Sequence, residues 1–230
     1  MQYKIAIFAM VVTFFSLQSS YAQDWANLSR YQKENAQLAA PKSREQRVVF
    51  MGNSITEGWL KTRPEFFRGK SYINRGISGQ TTSQMVLRFR EDVIKLQPKV
   101  VVVLAGINDI AENTGPIALD AVAGNIFSMA ELAKENNIKV IMCTVLPAFD
   151  FPWRPGLVPG PKVVALNAML KKYANDHNLP FVDYYSPMVN SSLGLKSELG
   201  DDGVHPNNAG YTIMEPLVEA AIAKVLKQNK

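Results

Sequence analysis

Three residues of this chain have the types and spacing to carry nucleophilic chemistry together: Ser54 at the end of an apolar run, and Asp202 and His205 three positions apart near the C-terminus. Ser54 closes the stretch Val48-Val49-Phe50-Met51-Gly52-Asn53-Ser54, where β-branched and bulky residues stop at a glycine and small polar ones follow. A serine hydroxyl becomes a useful nucleophile only when a positioned base takes its proton. The sequence holds two histidines, His177 and His205. His177 ends a helical stretch just before Leu179-Pro180, where its expected role is a cation at a helix C-terminus. His205 lies in the turn-rich Gly200-Asp201-Asp202-Gly203-Val204-His205-Pro206. There Asp202 can accept from Nδ1 and leave Nε2 free for Ser54. Plainer roles stay open for both ends of the pair: Ser54 as a helix N-cap, and His205 as a solvated loop histidine.

Attack on a carbonyl also needs preorganised donors for the developing oxyanion. Gly79, within Asn74-Arg75-Gly76-Ile77-Ser78-Gly79-Gln80-Thr81-Thr82, could bring a backbone N–H to a substrate with no Cβ in the way. Asn108, within Gly106-Ile107-Asn108-Asp109, offers a side-chain amide whose charge state does not change with pH. Either residue could instead simply form a turn.

Positioning these groups requires loops at one edge of one sheet. Strand-like runs cover Arg47 to Gly52, Ser71 to Ile77, Lys99 to Gly106, Ile138 to Leu146 and Leu179 to Tyr184. Between and after them, Thr81 to Leu96, Pro116 to Glu135, Lys162 to Tyr173 and Asn207 to Leu226 show helical periodicity, and Trp25 to Leu38 reads as a leading helix. Alternation of this kind predicts an α/β fold, a parallel sheet with helices on both faces in three α/β/α layers. In such sheets the ligand-binding loops follow the carboxyl ends of the strands, where Ser54, Gly79, Asn108 and Asp202-x-x-His205 all fall.

The chain has 230 residues, 47% hydrophobic and 20% charged, which suits one folded domain with a sizeable core. Its net charge of +5 is spread singly rather than in a basic run, so nucleic acid is not an expected partner. Lys4, the apolar Ile5 to Leu17 and the small residues ending at Ala22 read as a cleavable leader, residues 1–22, with a domain over 23–230. Export as a secreted or periplasmic protein without a stable membrane anchor is therefore expected. The lone Cys143 sits in the apolar run IKVIMCTVL and is expected to pack in the core.

The blocks GNSIT, ISGQTT, GIND and DGVHP, in that order from Val48 to about Tyr211, resemble the SGNH hydrolases, also called GDSL-type esterases and lipases. The resemblance implies a flavodoxin-like sandwich with five parallel strands in the order 2-1-3-4-5. It implies Ser54 as nucleophile, His205 as base and Asp202 as its orienter, with the N–H groups of Ser54 and Gly79 and the Asn108 side chain as oxyanion hole. No metal or cofactor is implied. Asn53 stands where the family name has aspartate.

The segment Pro147 to Pro161, PAFDFPWRPGLVPGP, holds five prolines with Phe149, Phe151, Trp153 and Arg154. Its aromatics either pack down or face a ligand as a stacking platform, and Arg154 could meet an anionic group. Tyr184, Tyr185 and Pro187-Met188 are candidates for a second wall. The expected activity is hydrolysis of short acyl esters, acetyl above all, on a small molecule or an oligosaccharide. A lipid ester such as a lysophospholipid is the alternative, and a non-catalytic carbohydrate-binding protein is a further one.

Overall fold

The computed structural model describes residues 24–227; the expected leader and its cut after Ala22 lie outside them. Five strands form: β1 (Val48–Gly52), β2 (Tyr72–Gly76), β3 (Val100–Leu104), β4 (Lys139–Cys143) and β5 (Phe181–Val182). All pair in parallel in the order β2-β1-β3-β4-β5, the order the resemblance implies. β1 and β3 are buried along their whole length, which is why both read as unbroken apolar runs rather than alternating ones.

The helices are α1 (Gln32–Gln37), α2 (Ser54–Thr62), α3 (Pro64–Phe67), α4 (Thr82–Asp92), α5 (Ile107–Ile110), α6 (Leu119–Glu135), α7 (Pro159–Asp176), α8 (Tyr185–Met188) and α9 (Asn208–Lys227). α4, α6 and α7 pack side by side, with Phe127 stacked on Tyr173 at 3.9 Å between α6 and α7. α2, α3 and α9 form the other layer, where Trp59 stacks on Phe66 at 4.9 Å and on Tyr211 at 5.3 Å. Cys143 is a buried core residue, as expected, and burial pushes its thiol up to about 12. Among the described residues no helix is long and apolar enough to cross a membrane.

Several elements are shorter than their sequence patterns, each for a local reason. The leading helix begins only at Gln32, because the Asp24 carboxylate accepts from the backbone of Leu28 (2.6 Å) and Ser29 (2.8 Å) and Asn27 turns left-handed at φ 59°. β4 ends at Cys143 because the Asn167 side chain takes over both backbone groups of Val145, at 2.7 and 2.9 Å. β5 stops at Val182, since Thr144 Oγ1 accepts from the N–H groups of Tyr184 and Tyr185, each at 2.9 Å, where the ladder would continue. The stretch Thr81 to Leu96 is α4 followed by a 3₁₀ turn from Ile94 to Leu96. α7 starts earlier than its apolar stripe, taking Pro159 and Pro161 into its first turn, the one part of a helix that tolerates proline.

Candidate active site

The pairing register sets Gly52 level with Gly76 and with Leu104, so β1, β2 and β3 end in line and release their loops at one edge. Close approach makes this possible: a Cβ on Gly76 would lie 2.1 Å from the Glu57 backbone nitrogen, so α2 can turn over the end of β2 only if that residue is glycine.

Ser54 is the first residue of α2, but it is not the cap. Asn53 is, its side-chain oxygen accepting from Ile55 N at 3.1 Å. The Ser54 hydroxyl is left to meet His205 Nε2 at 2.8 Å. On the other side of the ring, His205 Nδ1 lies 2.6 Å from Asp202 Oδ2. Asp202 Oδ1 accepts from the N–H groups of Val204 (2.9 Å) and His205 (2.7 Å), which folds the loop into a compact turn and presents the imidazole to Ser54. Burial pushes the Asp202 carboxyl up, but the bonds it accepts from the His205 backbone and ring outweigh that and hold it below the usual carboxylate range.

Gly79 sits at the exposed tip of the loop after β2 at φ 77°, a left-handed conformation that favours glycine, and nothing lies within 4 Å of where a Cβ would be. Its N–H has no acceptor among the described residues, while its carbonyl accepts from Asn113 Nδ2 at 3.2 Å. Asn108 lies buried at the start of α5 and donates one amide hydrogen to the Gln80 carbonyl at 3.0 Å, which leaves the other hydrogen uncommitted.

Residues 50–213 match the GDSL-like lipase/acylhydrolase family. The chain belongs to that family. It is similar to a solved GDSL-like lipase of Bacteroides thetaiotaomicron, 56% identical over 86% of this chain and 98% of that one, with a TM-score of 0.85. A solved protein of Bacteroides fragilis is 55% identical over 89% of this chain and 99% of that one, with a TM-score of 0.87. An acetylxylan esterase of Xylanibacter ruminicola is 24% identical over 91% of this chain, which spans 48% of that protein's length.

In this GDSL-like chain the proline-rich segment divides its residues between two jobs. Trp153 is 46% exposed, with its ring 5.9 Å from that of His205, and Phe149 is 62% exposed. Phe151 is fully buried with its ring 5.2 Å from that of Trp153, and it lines the floor of the depression between Phe149 and Asp202. Arg154 is also not free for an anion. It pairs with Glu112 at 3.0 Å and donates to the carbonyls of Glu112 (2.7 Å) and Ala111 (3.3 Å), fastening the loop to the segment after α5. Tyr184 and Met188 are wholly buried and form no second wall. His177 caps the C-terminus of α7, its ring against Tyr173 at 4.1 Å, and is not brought to Ser54.

Sequence reasoning missed the polar residues that hold the loops. Asp109 is buried and accepts from Thr82 N (3.1 and 3.0 Å) and Oγ1 (2.6 Å), tying α5 to the start of α4, and burial raises its carboxyl to about 6. Arg88, wholly buried, donates to the Gly52 carbonyl at 2.9 Å, to Arg75 O at 2.9 Å, to Asp92 at 2.9 Å and to the Gln80 side chain. Asn113 joins the Gly79 loop to Trp153 Nε1, at 3.2 and 3.4 Å. The one signal in the sequence was polar residues at apolar-face positions of a helix, such as Arg88 beside Phe89 and Met85.

Proposed function

We propose that this protein is a serine esterase that hydrolyses short acyl esters, acetyl esters of a carbohydrate above all, through an acyl-enzyme. The observation that carries the reading is the continuous line of hydrogen bonds from Ser54 Oγ through His205 to Asp202, at 2.8 and 2.6 Å. Ser54 Oγ attacks the ester carbonyl as His205 Nε2 takes its proton, and Asp202 holds the ring and balances the imidazolium charge. The carbonyl oxygen gains the negative charge, which the N–H groups of Ser54 and Gly79 and the Asn108 amide stabilise. His205 then protonates the departing alcohol as the carbon–oxygen bond breaks, leaving the acyl group on Ser54. A water, deprotonated by His205, attacks this acyl-enzyme, and the bond from the acyl carbon to Ser54 Oγ breaks as His205 returns the proton to Oγ and the acid leaves.

Two features support a sugar-borne acetyl group. Trp153 offers an exposed ring beside His205, suited to stacking on a sugar. The loops that carry Ser54, Gly79, Asn108 and His205 are rich in Gly, Asn, Ser and Asp and supply little continuous apolar wall for a long acyl chain. The acetylxylan esterase relative agrees with this direction. One observation favours the lipid-ester alternative: Phe149, Val158 and Leu193 are exposed and apolar on the loops around the site.

Turnover of para-nitrophenyl acetate by the protein from Gln23 onward, abolished in Ser54→Ala, tests the reading; no turnover, or turnover surviving in the variant, would reject it. Residues 1–22 we read as an export leader. N-terminal sequencing of the protein recovered outside the cytoplasm should begin at Gln23, and retention of Met1 in the cytoplasm would reject export.

A further inference from the structure

The loop from Gly76 to Thr82, which carries Gly79, is gripped from two sides. Its inner side is held by Asn108, Asn113 and Asp109, as described above. Its outer side is held by the arm of residues 24–38. Tyr31 donates its hydroxyl to the Gly76 carbonyl. Ser78 donates both its N–H (2.9 Å) and its hydroxyl to Glu57, whose other oxygen accepts from Arg30 at 3.3 Å. The Gln80 side chain donates to the Ala26 carbonyl at 2.7 Å, and Gln84 donates to the Trp25 carbonyl at 2.6 Å. The arm is itself anchored through Asn35, which accepts from Arg75 at 2.9 and 2.7 Å and donates to Asp92 at 2.8 Å.

What the arm buries is modest by comparison. Ala26 and Tyr31 are buried, but Trp25 and Leu28 are 48% and 42% exposed, and α1 buries no residue. An arm that contributed only stability would put its large apolar side chains inside. This one leaves Trp25 and Leu28 half-exposed and directs Tyr31, the Ala26 carbonyl and, through Glu57, Arg30 at the loop from Gly76 to Gln80.

We propose that the arm is a positioning element for the oxyanion hole, in which Tyr31 and Arg30 fix the loop that presents the Gly79 N–H. This rests on the reading of Gly79 as an oxyanion donor. Stabilisation of that kind depends on donors fixed before the charge develops, so a loop free to move loses transition-state binding while substrate binding is little changed. The buried Arg88 extends the same grip towards the nucleophile, since it bonds both Gln80 and the Gly52 carbonyl.

The test is Tyr31→Phe and Arg30→Ala, singly and together, in the chain from Gln23 onward. Tyr31→Phe keeps the ring, and Arg30 lies on the surface, so both variants should fold. The combined variant should lose about 5- to 20-fold in kcat on para-nitrophenyl acetate with KM within about twofold, a part of what one oxyanion donor is worth. Arg30→Lys should recover part of the loss. In an Asn108→Ala background the same pair should cost less, because the two act on one hole. Full kcat in the combined variant, or an equal loss in the Asn108→Ala background, would overturn the proposal. Hydrogen exchange at the Ser78–Gln80 amides gives a readout independent of turnover. Faster exchange in the variants supports the arm's role even if Ser54 proves not to be a nucleophile, and unchanged exchange overturns it even in an active enzyme.

Discussion

Capping of α2 falls to Asn53, which leaves the Ser54 hydroxyl with no structural duty and free to face His205. At the position where the family name has aspartate, Asn53 fills the capping role that an aspartate also fills. Aspartate and asparagine cap about equally well, so Asn53→Asp should retain stability and activity, whereas Asn53→Ala should cost about 1 kcal/mol in denaturant unfolding. His205→Ala should fall to background turnover and His177→Ala should keep most of its kcat; equal losses with unchanged melting temperatures would show that His205 is not the base that serves Ser54. Asn108→Ala should lose about 10²–10³ in kcat with little change in KM. Asp109 adds a dependence on pH. Burial raises it from 3.8 to about 6, so the folded chain favours the neutral acid. The stabilisation this brings is complete below about pH 3.8 and is lost as pH rises through about 6. Asp109→Asn should therefore gain in stability relative to the wild type between pH 4 and pH 8, by an amount on the order of 2 kcal/mol, read in denaturant unfolding at the two pH values. A difference that does not vary with pH would contradict the assignment.

At the scale of elements, the placement of the loops was legible in the sequence because apolar runs in a parallel sheet are unmistakable and their ends are marked by glycine. Gly52 and Gly76 both close strands at the level of the site. Their necessity is testable: Gly76→Ala would drive a Cβ against the Glu57 main chain, and a cost of about 3 kcal/mol or more should lower the melting temperature by about 6–12 °C. An unchanged melting temperature would mean that α2 is free to move away. The ends of β4 and β5 were not legible, because side chains from distant positions, Asn167 and Thr144, replace the ladder there. The same cause hid the roles of Arg88 and Asp109, whose partners are brought together only by the fold. In the proline-rich loop, composition marked out four residues, but only burial separates Phe151 and the tethered Arg154 from the exposed Phe149 and Trp153.

For the molecule as a whole, the proposed preference for short acyl groups rests on what stands around Ser54 and His205. Each CH₂ of a long acyl chain contributes only about 0.8 kcal/mol and must be covered to do so, and the Gly-, Asn-, Ser- and Asp-rich loops around Ser54 offer little apolar surface to cover many of them. Acetyl and propionyl esters should show higher kcat/KM than octanoyl esters, and a preference rising beyond eight carbons would favour the lipid alternative. Trp153→Ala should raise KM for an acetylated oligosaccharide more than for para-nitrophenyl acetate, since only the sugar can use the exposed ring; equal effects would count against the platform. Beneath all of these stands the claim that Ser54 is the nucleophile. Its most direct test is to react the folded protein with a fluorophosphonate and map the adduct by mass spectrometry. One equivalent should appear on Ser54, and the Ser54→Ala protein should take up none; an adduct on another serine, or undiminished labelling of the variant, would contradict it.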